Sequence, residues 1–347
     1  MKVDQIIIGS GIAGCCIAWE LYFQNKSFVL ISDQASSSSS VAAGVYNPTI
    51  LKRFTSVWNG ATQLDHSISF YENIEQILNV QLLHPIPILR RLHNSNEAKT
   101  WVNKSIKPEL SRFMNSHIHE SLNIDGIDAP HGYGEVLETG WLDTIAFMNH
   151  SLIFFKGKGH VIKEKFDFDK LKLDLAQVAY DMLCAPSIIF ADGFRMTENP
   201  IFKHLPMQGN KGEVLTIQVE GLHLDYIIKS SVFLMPYKDD LFWVGATYNR
   251  DDLSDIPTAH GFDFLTSRLK TFLKLPYNIK SHKAGIRPTT IDRRPFVGIH
   301  FKHKNVICFN GMGSRAVLVS PWAASNLVDH LYNDALLPAE MDIARFY

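Results

Sequence analysis

The chain has 347 residues, 46% of them hydrophobic and 20% charged, with a formal net charge of −1. That length suits about two domains with a sizeable core, and the balanced charge gives no global field for gathering nucleic acid or an anionic membrane. No apolar run reaches the length of a membrane span, so no membrane partner is expected.

The first predicted element is a buried parallel strand at residues 6–8, followed by Gly9, Gly11 and Gly14 and an apolar helix over 15–21. This spacing suits a sharp turn at Gly9, approach of the backbone to a pyrophosphate at Gly11, and close helix–strand packing at Gly14. Ile12 and Ala13 fall at the helix start, where free N–H groups and the positive helix end hold phosphates. A second buried strand at 27–31 leads to Asp33, placed to accept hydrogen bonds from an adenosine ribose. No Arg or Lys adjoins Asp33 in the sequence to take a 2′-phosphate, which argues against NADP.

Five serines at 36–40 run into Val41-Ala42-Ala43-Gly44. The run is either a flexible linker or a loop of small residues passing against a ligand, and its place after the acid-bearing strand favours the second. Helical spacing follows over 58–78, a strand over 84–92 and a helix over 97–106. A strand is predicted at 133–137, and Gly140-Trp141-Leu142-Asp143 is expected to open a helix with an acidic cap. Residues 160–163 and 166–169 suggest a small antiparallel hairpin. The apolar strand 187–193 ends in a glycine and belongs with the nucleotide-binding sheet. Residues 212–219, 230–237 and 241–248 read as antiparallel sheet, and a last strand over 305–310 leads through Gly311 into a helix over 319–332.

The expected fold is α/β: a discontinuous Rossmann-like nucleotide-binding domain at 1–78, 140–205 and 285–347, with an inserted α+β substrate domain, mainly antiparallel, at 79–139 and 206–284. Cys15, Cys16, Cys184 and Cys308 lack metal spacing and read as buried free thiols, so no metal is expected. A folding strand stands where a signal peptide would, which points to the cytoplasm. The pairs Arg90-Arg91 and Arg293-Arg294 read as solvated surface.

Two later clusters carry chemistry. In Gly285-Ile286-Arg287-Pro288 the backbone is restricted on both sides of Arg287. Its guanidinium either grips a carboxylate with two bonds or forms a structural ion pair, for instance with Asp292. Asn310-Gly311-Met312-Gly313-Ser314-Arg315 repeats the strand–glycine loop–helix logic, with free N–H groups able to stabilise negative charge on a ring carbonyl. Tyr248 either faces a substrate or packs within its strand.

The segments IIIGSGIAG, SSSSSVAAG, GWLD, IIFADG, LFWVGAT, GIRPTTIDRRPFVG and FNGMGSRAV, with Asp33 and the trailing Ala344-Arg345-Phe346, together resemble the FAD-dependent D-amino acid oxidase superfamily. That superfamily includes glycine oxidase, sarcosine oxidase and D-amino acid dehydrogenases. Within it, GWLD, SVAAGVYNP and GMGSR are most similar to the FAD-dependent oxidase domain of the bifunctional tRNA 5-methylaminomethyl-2-thiouridine biosynthesis protein, here without a methyltransferase-like partner domain.

The resemblance implies extended, non-covalent FAD. It puts Gly9, Gly11, Ile12, Ala13 and Gly14 at the pyrophosphate, Asp33 and Gln34 at the adenosine side, and Ser39, Ser40, Ala42, Ala43 and Gly44 at the phosphates and ring. Lys165, Ala191, Asp192 and Gly193 also fall to the cofactor, and Gly311, Met312, Gly313, Ser314 and Arg315 border the isoalloxazine. Arg287 would bind the substrate carboxylate, with Tyr248 and Arg315 completing the catalytic set. The VAAG segment has no His and the GIRP region no Cys, so the family's covalent flavin links are not expected. Phe233 stands where some amino acid oxidases use a tyrosine.

The implied activity is oxidation of a primary or secondary amine, of amino acid or N-substituted glycine type, by hydride transfer to flavin N5. The imine then hydrolyses, and oxygen or another acceptor takes the electrons. One alternative substrate is a carboxymethylaminomethyl group on tRNA, which the near-neutral charge disfavours unless Lys52 and Arg53 supply a basic stripe. A second alternative is a non-catalytic flavin-binding protein.

Overall fold

Strands that are apolar on both faces belong inside a covered sheet. Gln5–Ile8, Phe28–Ile31 and Ser187–Phe190 are of this kind and are buried along their whole length. The computed structural model describes residues 1–34 and 37–347, so Ser36, the first of the five serines, lies outside the described residues. Its six-stranded sheet has the order Val161–Ile162, Phe28–Ile31, Gln5–Ile8, Ser187–Phe190, Val306–Asn310 and Phe296–Ile299. All neighbours run parallel except the last pair.

Side-chain alternation divides that sheet between two cores. Ile7, Leu30, Ile189 and Ile307 face helices Ile12–Phe23 and Ala316–Tyr332, which pack on each other and on Gly60–Leu78. Ile6, Val29, Ile188 and Val306 face Val178, Tyr180 and Leu183, carried by a small antiparallel sheet of Leu171–Leu173, Val178–Tyr180 and Leu183–Ala185.

The second large sheet has eight strands in the order Asn278–Thr290, Met207–Gln218, Leu241–Gly245, Phe233–Lys238, Ile227–Lys229, Ile88–Arg91, Tyr133–Val136 and Met114–His119. Only Ile227–Lys229 and Ile88–Arg91 pair in parallel. The α/β architecture with a mainly antiparallel second sheet matches the expectation. The two longest strands, Met207–Gln218 and Asn278–Thr290, pair along their length and set Arg287 opposite Asn210.

Four local expectations need correction. The strand expected over 84–92 is two strands in different sheets, Leu83–Pro85 and Ile88–Arg91, because Pro85 and Pro87 supply no N–H to a continuous ladder. Gly140–Leu142 is a strand, and the helix begins after it at Thr144–Gly157, with the Asp143 carboxylate accepting from Ala146 N at 2.9 Å. Residues 160–169 form no hairpin: Val161–Ile162 joins the edge of the parallel sheet, and the antiparallel pairing comes later, from residue 171. Arg90 and Arg91 are buried, since their strand is internal to the eight-stranded sheet; Arg90 pairs with Glu97 at 2.6 Å and Arg91 with Asp128 at 3.4 Å. All four cysteines are free, but Cys184 is only half-buried. No helix among the described residues is long and apolar enough to cross a membrane.

Candidate active site

The glycine turn shows three separate constraints. Gly9 has φ +103°, and a Cβ there would overlap the Ala191 carbonyl. A Cβ on Gly14 would overlap the Gly9 carbonyl, so this glycine lets the helix sit on the turn. At Gly11 a Cβ meets, among the described residues, only Ser39 Oγ, at 3.2 Å. Ser39 Oγ itself accepts from Ile12 N at 3.2 Å, and Thr144 Oγ1 donates to Ser39 O at 2.9 Å, which fixes the serine loop against the helix start.

A cavity of about 1210 Å³ opens in front of this turn, at the carboxyl ends of the parallel strands. It exceeds the roughly 300–1,000 Å³ of ordinary small-molecule pockets, as an extended dinucleotide requires. Gly9, Gly11, Ile12, Ala13, Asp33, Gln34, Ser39, Ser40, Lys165, Ala191, Asp192, Gly193, Met312 and Gly313 all line it. Gly14 and Gly44 lie behind the wall, where Cβ atoms would overlap Gly9 O and Leu142 O. Ala42 and Ala43 line a separate small cavity of about 70 Å³ with Trp141, Tyr237 and Trp243. Arg287 and Gly311, with Ser314, Arg315 and Tyr248, stand just outside the large cavity, while Ile286, Pro288 and Gly313 beside them in the chain line it. A glycine cradle and a long cavity with Asp33 in its wall fit FAD.

The walls also contain residues whose role sequence spacing does not reveal. Arg195, on the 3₁₀ turn Gly193–Glu198, places Nη1 2.9 Å from Asp33 Oδ2. A cation therefore does stand beside Asp33, delivered from a distant segment, and the argument against a 2′-phosphate from sequence neighbours does not hold. Burial raises the Asp192 carboxyl to about 6, opposed by hydrogen bonds from Asn310 at 2.7 Å and Asn199 at 3.1 Å. Leu253, Ser254, Asp255 and Pro257 close one side of the cavity. Their loop is gripped from behind by Lys211, a fully buried side chain that pairs with Asp252 and donates to Ser254 Oγ at 3.2 Å and Ile256 O at 2.5 Å.

Arg287 does not form the ion pair with Asp292, which is engaged by Arg345 at 2.9 Å. Among the described residues its guanidinium donates only to Thr247 O at 3.3 Å and Asn210 Oδ1 at 3.5 Å, and it stacks 4.6 Å from the centre of the Tyr248 ring. Gly212 makes room for it, because a Cβ there would overlap the guanidinium. Burial lowers the Arg287 pKa, as it does that of Arg315, which the Arg293 charge lowers further. Tyr248 is 70% exposed and forms the outer edge of this cationic corner.

The family model described as FAD dependent oxidoreductase matches residues 4–330. Glycine oxidase of Bacillus subtilis is 27% identical over 126 residues, covering 35% of this chain and 34% of that protein. The tRNA 5-methylaminomethyl-2-thiouridine biosynthesis bifunctional protein MnmC of Legionella pneumophila is 21% identical over 308 residues, covering 84% and 45%. The chain thus spans about half or less of the length of the curated relatives it matches. Among solved structures, glycine oxidase from Geobacillus kaustophilus superposes with a TM-score of 0.82 at 17% identity, covering 99% of this chain and 98% of that one.

Proposed function

The chain belongs to the FAD dependent oxidoreductase family, and on that premise we propose that it oxidises a primary or secondary amine bearing a carboxylate, an amino acid or N-substituted glycine, to the imine. FAD, when bound, would supply the two-electron acceptor for oxidation of the carbon that carries nitrogen, the N–H proton being released to water. Gly9 to Gly14 and Ser39 would hold its pyrophosphate, Asp33 its adenosine ribose, and Met312 and Gly313 the ring.

The observation that carries this reading is Arg287, a half-buried guanidinium with no carboxylate partner among the described residues, beside Ile286 and Pro288 of the cavity wall. Its fork can take a substrate carboxylate through two bonds, which orients the neighbouring carbon. Asn210 and the Thr247 carbonyl hold the fork in place, and Tyr248 covers its face. Positive charge at Arg287 and Arg315 also disfavours an ammonium, so the amine is held in its neutral, oxidisable form without a dedicated base. Glycine oxidase as a relative agrees with a small amino acid substrate. The test is anaerobic mixing of the yellow protein with glycine, sarcosine, D-amino acids and iminodiacetate. Bleaching of the flavin absorbance is expected, and a flavin that no amine reduces would overturn the reading.

A second reading, oxidation of a carboxymethylaminomethyl group on tRNA, draws on the likeness to MnmC and on the exposed Lys52 and Arg53. Bleaching by modified tRNA and not by free amino acids would favour it.

A further inference from the structure

Arg287 and Arg315 present more positive charge than one carboxylate compensates. Neither makes an ion pair among the described residues, and Arg315 makes no hydrogen bond there. The acids that could serve are engaged elsewhere: Asp292 on Arg345, Asp252 on Lys211. The two arginines come from elements that touch. The turn Gly313–Arg315 packs on the strand Asn278–Thr290, with Gly313 within about 4.0 Å of Pro288 O and Thr289 Cα where its Cβ would stand. Tyr248 stacks on Arg287, its ring centre 4.6 Å from the guanidinium carbon.

Both guanidiniums are half-buried, and a guanidinium fork left without a counter-charge is ready to take a carboxylate that a ligand brings. A monocarboxylate satisfies Arg287 and leaves Arg315 bare. We propose that the substrate is an amine with two acidic groups, an amino- or imino-dicarboxylate, whose first carboxylate binds Arg287 and whose second binds Arg315. The inference rests on the amine-oxidising reading and goes beyond it by assigning Arg315 to substrate selection.

Binding can be read without turnover. The holoenzyme is titrated with acetate, propionate, malonate and succinate while the flavin spectrum is followed. Dicarboxylates are expected to bind about tenfold tighter than monocarboxylates, the worth of one added charged contact. Arg315→Met should weaken dicarboxylate binding about tenfold more than acetate binding, and Arg315→Lys should restore part of that difference. Equal affinities in the native protein, or a preference that survives Arg315→Met, would overturn the proposal; in the latter case Arg315 serves the flavin instead. In the anaerobic assay, bleaching by glycine as fast as by iminodiacetate would also sink it while leaving amine oxidation intact. No bleaching by any amine would instead remove the reading beneath it.

Discussion

On the proposed reading, the Arg287 guanidinium is the group that binds the substrate carboxylate. Arg287→Ala or Arg287→Lys should lower kcat/KM for a carboxylate-bearing amine by about 100- to 1,000-fold, mostly through KM, since a point charge cannot replace a two-bond fork. FAD content should stay at the native level, and its loss would show that Arg287 serves the cofactor. Arg287 is legible in the sequence because an arginine wedged before a proline announces a restricted backbone. Its freedom from Asp292 is not, because that depends on Arg345 arriving from the far end of the chain. Arg195 beside Asp33 is hidden for the same reason.

At the scale of elements, the glycine turn separates fold from function. Gly14→Ala drives a methyl group into the Gly9 carbonyl and should lower the melting temperature with or without FAD. Gly11→Ala meets, among the described residues, only Ser39 Oγ, so the apoprotein should melt close to the native temperature while FAD affinity falls. Identical melting losses in both variants would contradict the division. Asp143→Ala removes the cap of helix Thr144–Gly157 and should cost about 1 kcal/mol, measured by denaturant unfolding. The strand–turn–helix unit is readable from sequence because its periodicities and its glycines agree. The 84–92 and 140–143 segments are misjudged because strands this short declare themselves through partners, here Val45–Tyr46 and Gly140–Leu142, rather than through pattern.

Taken whole, the molecule is held by groups that distant segments share. Lys211 ties the 249–257 wall to the long strand, and Lys211→Met should leave Asp252 unpaired, raise the FAD dissociation constant and expose that loop to protease. Near Tyr347, His300 Nδ1 accepts from Lys302 N and His303 N, both at 3.2 Å, and so must be unprotonated. Burial first, then the His303, His204, Lys302 and Lys304 charges, lowers its pKa to about 4. Its contribution is therefore complete above the unfolded value near 6.5 and is lost as pH falls from there towards 4. Unfolding at several pH values should show His300→Asn, whose amide oxygen can still accept, losing less stability over that window than the native chain. The parallel sheet has one more consequence, in time rather than space. The strand Val306–Asn310 completes the sheet, yet it is made about 300 residues after the glycine turn; at roughly 5–20 residues per second the turn waits about 15–60 s on the ribosome. FAD capture must then follow synthesis, and the nascent Gln5–Ile8 strand needs shelter from aggregation until its neighbours arrive.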